Sequence, residues 1–102
     1  MTNLSWTLGA REELMDVYLM IAADNLSAAD RWQSAIEQRT DLLKTHPRLG
    51  VRKHEISSQL KMLVHGSYLI FYETHPDTDD GVIEEVEIVS VVDGRQDLSR
   101  LF

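Results

Sequence analysis

The segment HGSYLIFYET, residues 65–74, sets the most apolar run of the chain between a His-Gly pair and charged flanks. Tyr68, Leu69, Ile70, Phe71 and Tyr72 are strand formers in succession, and a run without polar alternation leaves no face for water. The pattern predicts a central strand buried on both faces. His65-Gly66 supplies the chemistry of a two-residue hairpin turn, because glycine takes positive φ without steric cost. That turn joins the run to QLKMLV at 59–64, where Leu60, Met62 and Val64 alternate with Lys61 and Leu63. Beyond the run, the charged loop HPDTDDG leads into VIEEVEIVSVV at 82–92. There Glu84, Glu85 and Glu87 mark exposed positions near the start, and Ile88, Val89, Val91 and Val92 read as a buried stretch. The three strands form an antiparallel meander.

Working upstream, PRLGVRKHEISS at 47–58 is polar and unpatterned, with Pro47 and Gly50 as breakers, and reads as a loop. Before it the period changes. In AREELMDVYLMIAAD at 10–24, Leu14, Val17, Tyr18, Ile21 and Ala22 recur at the spacing of one helical face. A second helix is expected from Ser27, a capping residue answered by Asp30, running through Trp32, Ile36, Leu42 and Leu43 until His46-Pro47 stops it. The break at Asp24 to Leu26 is short enough to make the two helices an antiparallel hairpin. At the start, LSWTL at 4–8 alternates as a half-buried strand does. At the end, RQDLSRLF spaces Leu98, Leu101 and Phe102 to fold back on the core as a helical turn. The expected architecture is one α+β domain over 1–102, in the order β-α-α-β-β-β, with the helical hairpin covering one face of the sheet.

At 102 residues a chain buries a core without staples, and the absence of cysteine removes disulfides, thiolate metal sites and cysteine nucleophiles. With no apolar membrane span and no signal-like start, the expected location is cytoplasmic. The net charge of -7 is unevenly distributed. Residues 1–45 hold four Lys/Arg against seven Asp/Glu, 46–72 hold four against one, and 73–102 hold two against nine. The middle is a basic island that also carries His46, His54 and His65. These histidines are too far apart for a local ligand motif, and PDTDD at 76–80 lacks the pattern of a calcium loop, so neither metal nor cofactor is expected.

The order and residues together resemble the toxins of the ParE/RelE superfamily of bacterial type II toxin-antitoxin modules. The resemblance covers nearly the whole chain. It rests on Ala10-Arg11-Glu12-Glu13-Leu14, Ala28-Ala29, and Leu43 followed by His46-Pro47-Arg48-Leu49-Gly50. It continues with Leu60-Lys61, Gly66-Ser67-Tyr68-Leu69-Ile70-Phe71-Tyr72, and Val89 to Val92 before Asp93-Gly94-Arg95-Gln96-Asp97-Leu98. The family fold it implies matches the sheet and hairpin read from the residues.

The superfamily divides into ribosome-dependent messenger RNA nucleases of RelE type and ParE-type toxins that act on DNA gyrase by binding. RNA cleavage through the 2'-hydroxyl calls for a general base, a general acid and a cation in one cleft. No tyrosine or histidine follows residue 75, where nuclease members commonly place a catalytic group, and Asp93 stands where many relatives carry His before Gly. A protein of charge -7 is also repelled by phosphate-rich surroundings, which argues against direct sequence-specific nucleic-acid binding. The resemblance therefore implies a ParE-like toxin without catalytic residues. A RelE-like ribonuclease using the basic island and a degenerate member that only pairs with an antitoxin are the alternatives. The implied target contacts are Lys61, at a position usually Arg in ParE-like relatives, with Arg95, Arg100 and Phe102 near the end. Arg95 departs from the family pattern, in which the arginine stands one place later, at Gln96. The implied antitoxin contacts are the apolar Met20, Leu26 and Leu42 on the helical hairpin.

Overall fold

A computed structural model describes residues 2–95. Its sheet has five strands in the order β1-β5-β4-β3-β2. β1 is Asn3–Trp6, and β2, Val51–Arg52, lies within the stretch expected to be loop. β3 is Lys61–His65, β4 Tyr68–His75 and β5 Glu85–Asp93. The α+β order and the meander stand as expected, with β3, β4 and β5 antiparallel neighbours. β1 adds parallel to β5, so the sheet is mixed. The parallel pairing is a consequence of the hairpin crossover: the chain leaves β1 and returns to β2 at the far edge, so β1 closes the sheet beside the last strand.

α1 spans Leu8–Asp24 and α2 spans Leu26–Asp41. The first strand ends earlier than the alternation suggested, because Thr7 caps α1, its hydroxyl accepting from Ala10 N–H at 3.1 Å. Leu8 thereby joins the helix and is exposed rather than strand-buried. The cap of α2 is Asn25, not Ser27. Its side-chain oxygen accepts from Ala28 N–H at 2.9 Å while its own N–H closes α1 on Ile21 O at 2.9 Å. One residue thus ends one helix and starts the next. Ser27 accepts instead from Arg31. Asn25→Ala is expected to cost about 1 kcal/mol, the usual worth of an N-cap, and thermal melting checks it. α2 stops before the proline: a 3-10 turn at Leu42–Lys44 intervenes.

The helices bury one face of the sheet. Ala10, Ile36 and Leu43 pack on Leu63, Ile70, Tyr72, Val86, Ile88 and Val91, with Leu14 and Trp32 against them. On the other face Phe71, Leu60 and Val92 form a smaller cluster with Ile56, Met62, Leu69 and Val89. The two-sided burial expected of the central run follows from these two layers. Trp32 meets Tyr68 edge to face, ring centroids 5.2 Å apart. The hairpin turn is Gly66-Ser67, one residue later than expected, with Gly66 at φ 59° and His65 paired to Tyr68. β5 starts at Glu85, later than expected, and Val82 before it is exposed.

A bulge breaks the β4–β5 register: Phe71 opposes Ser90 and Tyr72 opposes Ile88, leaving Val89 as the extra residue. Glu13 of α1 serves this irregular stretch, accepting from the Ser90 hydroxyl at 3.0 Å and from Val91 N–H at 3.3 Å. A helix carboxylate therefore satisfies polar groups where the ladder is disturbed. Among the described residues no helix is long and apolar enough to cross a membrane.

Candidate functional site

The basic island folds against the acidic segment that follows it. Arg52 on β2 and Lys61 at the start of β3 share one carboxylate, Asp77, from the loop after β4. Arg52 binds it through two nitrogens, at 2.9 and 3.2 Å, and Lys61 Nζ lies 3.2 Å from the oxygen it shares with Arg52. Lys61 Nζ also donates to the Thr74 hydroxyl at 3.1 Å. Strand alternation carries Lys61 away from Leu60 and Met62, as expected, but the side opposite them is not solvent: Lys61 is only 5% exposed. The paired cations, Arg52 first, hold the Asp77 carboxyl down to about 2.

Further contacts fasten the same loop. Arg48 donates to Thr78 O at 3.1 Å and to Gly81 O at 3.0 Å, and Arg52 also lies 3.7 Å from Asp79. Lys53 is taken by Glu55 at 2.7 Å. The four cations of the island are thus each engaged within the chain. His46 and His54 are exposed and His65 is half-buried on its strand.

Arg95 emerges at the end of β5 beside Gly94, whose N–H bonds Ser67 O at 2.7 Å and closes the sheet end. Asp93 grips its Nε and Nη2, at 2.9 and 2.6 Å, and this contact holds the Asp93 carboxyl down to about 2. Arg95 nevertheless remains 72% exposed. Arg100, Phe102 and the helical turn expected of RQDLSRLF lie outside the described residues. Lys61 is not brought to the surface with Arg95; it enters the site as the anchor of the 76–81 loop. Asp77 and Thr74 were not singled out by sequence reasoning, since neither contact is local; the only signal was the charge opposition between the island and the segment after it.

The helical hairpin carries a different surface. Met20 and Leu26 are 57% and 61% exposed on either side of the Asn25 turn, and Leu42 is 42% exposed. Leu42 lies at the far end of α2, about 24 Å along its axis from Leu26. Leu8, Met15 and Leu19 add exposed apolar side chains along α1, at spacings of seven and four residues that keep them near one face. A groove of about 380 Å³ between the helices is lined by Trp6, Leu14, Met15 and Tyr18, among others. A second hollow, about 240 Å³, is bordered by Met20, Tyr68, Val92 and Asp93. Met20 and the residue that grips Arg95 therefore border one concavity.

Residues 4–98 match the family model described as ParE toxin of type II toxin-antitoxin system, parDE. The fold is similar to a chain of the solved structure titled "Chromosomal ParDE TA system from P. aeruginosa", with TM-score 0.69 over 89% of this chain and 94% of that one, at 16% identity. No curated protein matches the chain in sequence. With the match running from the first strand past the end of the last, the chain belongs to the ParE toxin family of type II toxin-antitoxin systems.

Proposed function

We propose that the protein is the toxin of its module and arrests growth in the cytoplasm by binding DNA gyrase, without catalysing a reaction, until a cognate antitoxin covers it. The observation that carries this reading is the condition of the cations. Arg48, Arg52, Lys53 and Lys61 are held by chain oxygens, and cleavage of RNA needs such groups available around a phosphate together with an acid and a base. A binding mode asks less: an exposed cation and apolar anchors at the end of the sheet. Arg95 is such a cation, Arg100 and Phe102 follow it in the sequence, and Lys61 holds the 76–81 loop toward the opposite end of the sheet.

Inhibition of gyrase supercoiling by the purified protein, with translation in a cell-free extract unaffected, is the expected result. Loss of translation with fragmented messenger RNA would instead make the protein a RelE-like ribonuclease, and inactivity in both assays a degenerate partner of an antitoxin. Reversing Arg95 and Arg100 to Glu is expected to abolish gyrase inhibition and spare antitoxin binding.

The antitoxin reading rests on the apolar surface of the hairpin, where an amphipathic segment of the partner would cover Met20 and Leu26 at one end and Leu42 at the other. Because Met20 and Asp93 border one hollow, a partner seated on Met20 would crowd the Arg95 end of the sheet, which gives neutralisation a steric basis. Met20→Asp with Leu26→Asp is expected to weaken antitoxin binding by at least about tenfold, as for central apolar contacts. Both side chains are exposed, so stability should change by no more than about 0.5 kcal/mol per site. Unchanged affinity in a pull-down titration would move the antitoxin elsewhere.

A further inference from the structure

On the sheet face away from the helices, β4 and β5 carry a polar group that the toxin reading leaves unused. Strand alternation puts Glu73 and His75 on the face of Phe71, and puts Glu85 and Glu87 on the corresponding face of β5. In the ladder Glu73 stands directly opposite Glu87, and His75 opposite Glu85. Like charges set across an antiparallel pair destabilise it. Among the described residues no lysine or arginine answers them; the only ionic contact is His75 Nε2 to Glu87 Oε1 at 3.6 Å.

We propose that Glu73, His75 and Glu87 bind a first-row divalent cation, with zinc the best fit. One ligand atom from each residue lies within 4.8 Å of the others. Zinc takes nitrogen and carboxylate oxygen at roughly 2.0 to 2.2 Å, so neighbouring ligand atoms around it stand about 3.3 to 3.6 Å apart. The His75–Glu87 pair is at that spacing already. Glu73 closes the remainder by rotating its own side chain, since the strands beneath are joined in unbroken register from Tyr72 to His75. The donor set of one imidazole and two carboxylates favours zinc over magnesium or calcium, which prefer oxygen ligands alone and in greater number. Water fills the outer positions, because His75 is 48% exposed and Glu87 35%. His75 is the last residue of β4, so the bound ion would pin the strand pair where the Asp77 loop departs.

The test is calorimetric titration of the purified full-length protein with zinc chloride, in parallel with His75→Ala and Glu87→Gln. One zinc per chain is expected, bound at least about tenfold more weakly by either variant. Zinc should raise the melting temperature of the parent only, and magnesium should not. Glu87→Gln should melt without zinc no lower than the parent, since it removes one of two facing carboxylates; this separates loss of the site from loss of the fold. His46, His54 and His65 remain in His75→Ala, so equal zinc binding by that variant and the parent would assign the ion to surface histidines and overturn the proposal. Absence of saturable binding to the parent would overturn it as well.

Discussion

Asp77→Ala is expected to destabilise the protein by about 3 kcal/mol, because it strips the counter-charge from Lys61, and breaking a buried pair by removing one partner leaves an uncompensated charge. Lys61 would retain only the Thr74 hydroxyl at 3.1 Å, in a position with almost no access to water. The reverse substitution should be mild: Lys61→Met leaves Asp77 with Arg52 and replaces an ammonium by an apolar group of similar length, with a change of about 1 kcal/mol or less. This asymmetry is the signature of a buried charge rather than of a surface ion pair, whose two halves would cost about the same. For a domain of this size 1 kcal/mol shifts melting by about 4–8 °C, so an Asp77→Ala variant melting within about 4 °C of the parent would refute the account.

The same pair predicts a pH dependence. Asp77 titrates at about 2 in the fold against 3.8 without its partners, so folding favours its ionised form. Its contribution is complete well above 3.8 and is lost as pH falls through the interval down to about 2. The difference in stability between the parent and Asp77→Ala should be constant near neutrality and should close across that interval. A gap that persists at the acid end would mean that Asp77 holds the loop through contacts that do not need its charge.

Gly50→Ala is expected to be comparably damaging, for a steric reason. A Cβ at this position would lie 2.7 Å from both Cε1 and the hydroxyl oxygen of Tyr72 and 2.8 Å from the Met62 carbonyl oxygen. Tyr72 is fully buried, so its ring has nowhere to retreat. Its hydroxyl accepts from Gly50 N–H at 2.7 Å and donates to Pro47 O at 3.1 Å, tying the chain after the helices to the central strand. Overpacking of this kind costs about 1–3 kcal/mol, and displacing the ring would forfeit the two hydrogen bonds in addition. Tyr72→Phe alone should cost about 1–3 kcal/mol by leaving its partners unsatisfied. In the double variant the missing hydroxyl removes one of the close contacts, so the combined loss should be smaller than the sum of the two. Strict additivity in denaturant melts would show that Gly50 and Tyr72 do not act on one another.

Periodicity and the short connections read directly from the chain determined the α+β order, the helical hairpin, the central position of Tyr68 to Tyr72 and the antiparallel meander, because each depends on apolar spacing within one element or on the few residues that join it to the next. The resemblance to ParE/RelE toxins was also legible, since it rests on short motifs in a fixed order. What required the tertiary structure were the features set by partners far apart in the chain. The two residues of β2 form a strand only because β3 lies beside them, and β1 lies parallel to β5 only because the hairpin carries the chain across the sheet. Asn25 caps α2 because helix geometry places its side chain at the N–H of Ala28, while Ser27, equally suitable by residue type, falls inside the helix. Lys61 shows the difference most plainly. Alternation on β3 gave its side, but whether that side meets water was decided by Asp77, sixteen residues on. The basic island is continuous in sequence and largely neutralised in space, because opposite charges that are separate along a chain are drawn together once the backbone folds them within reach.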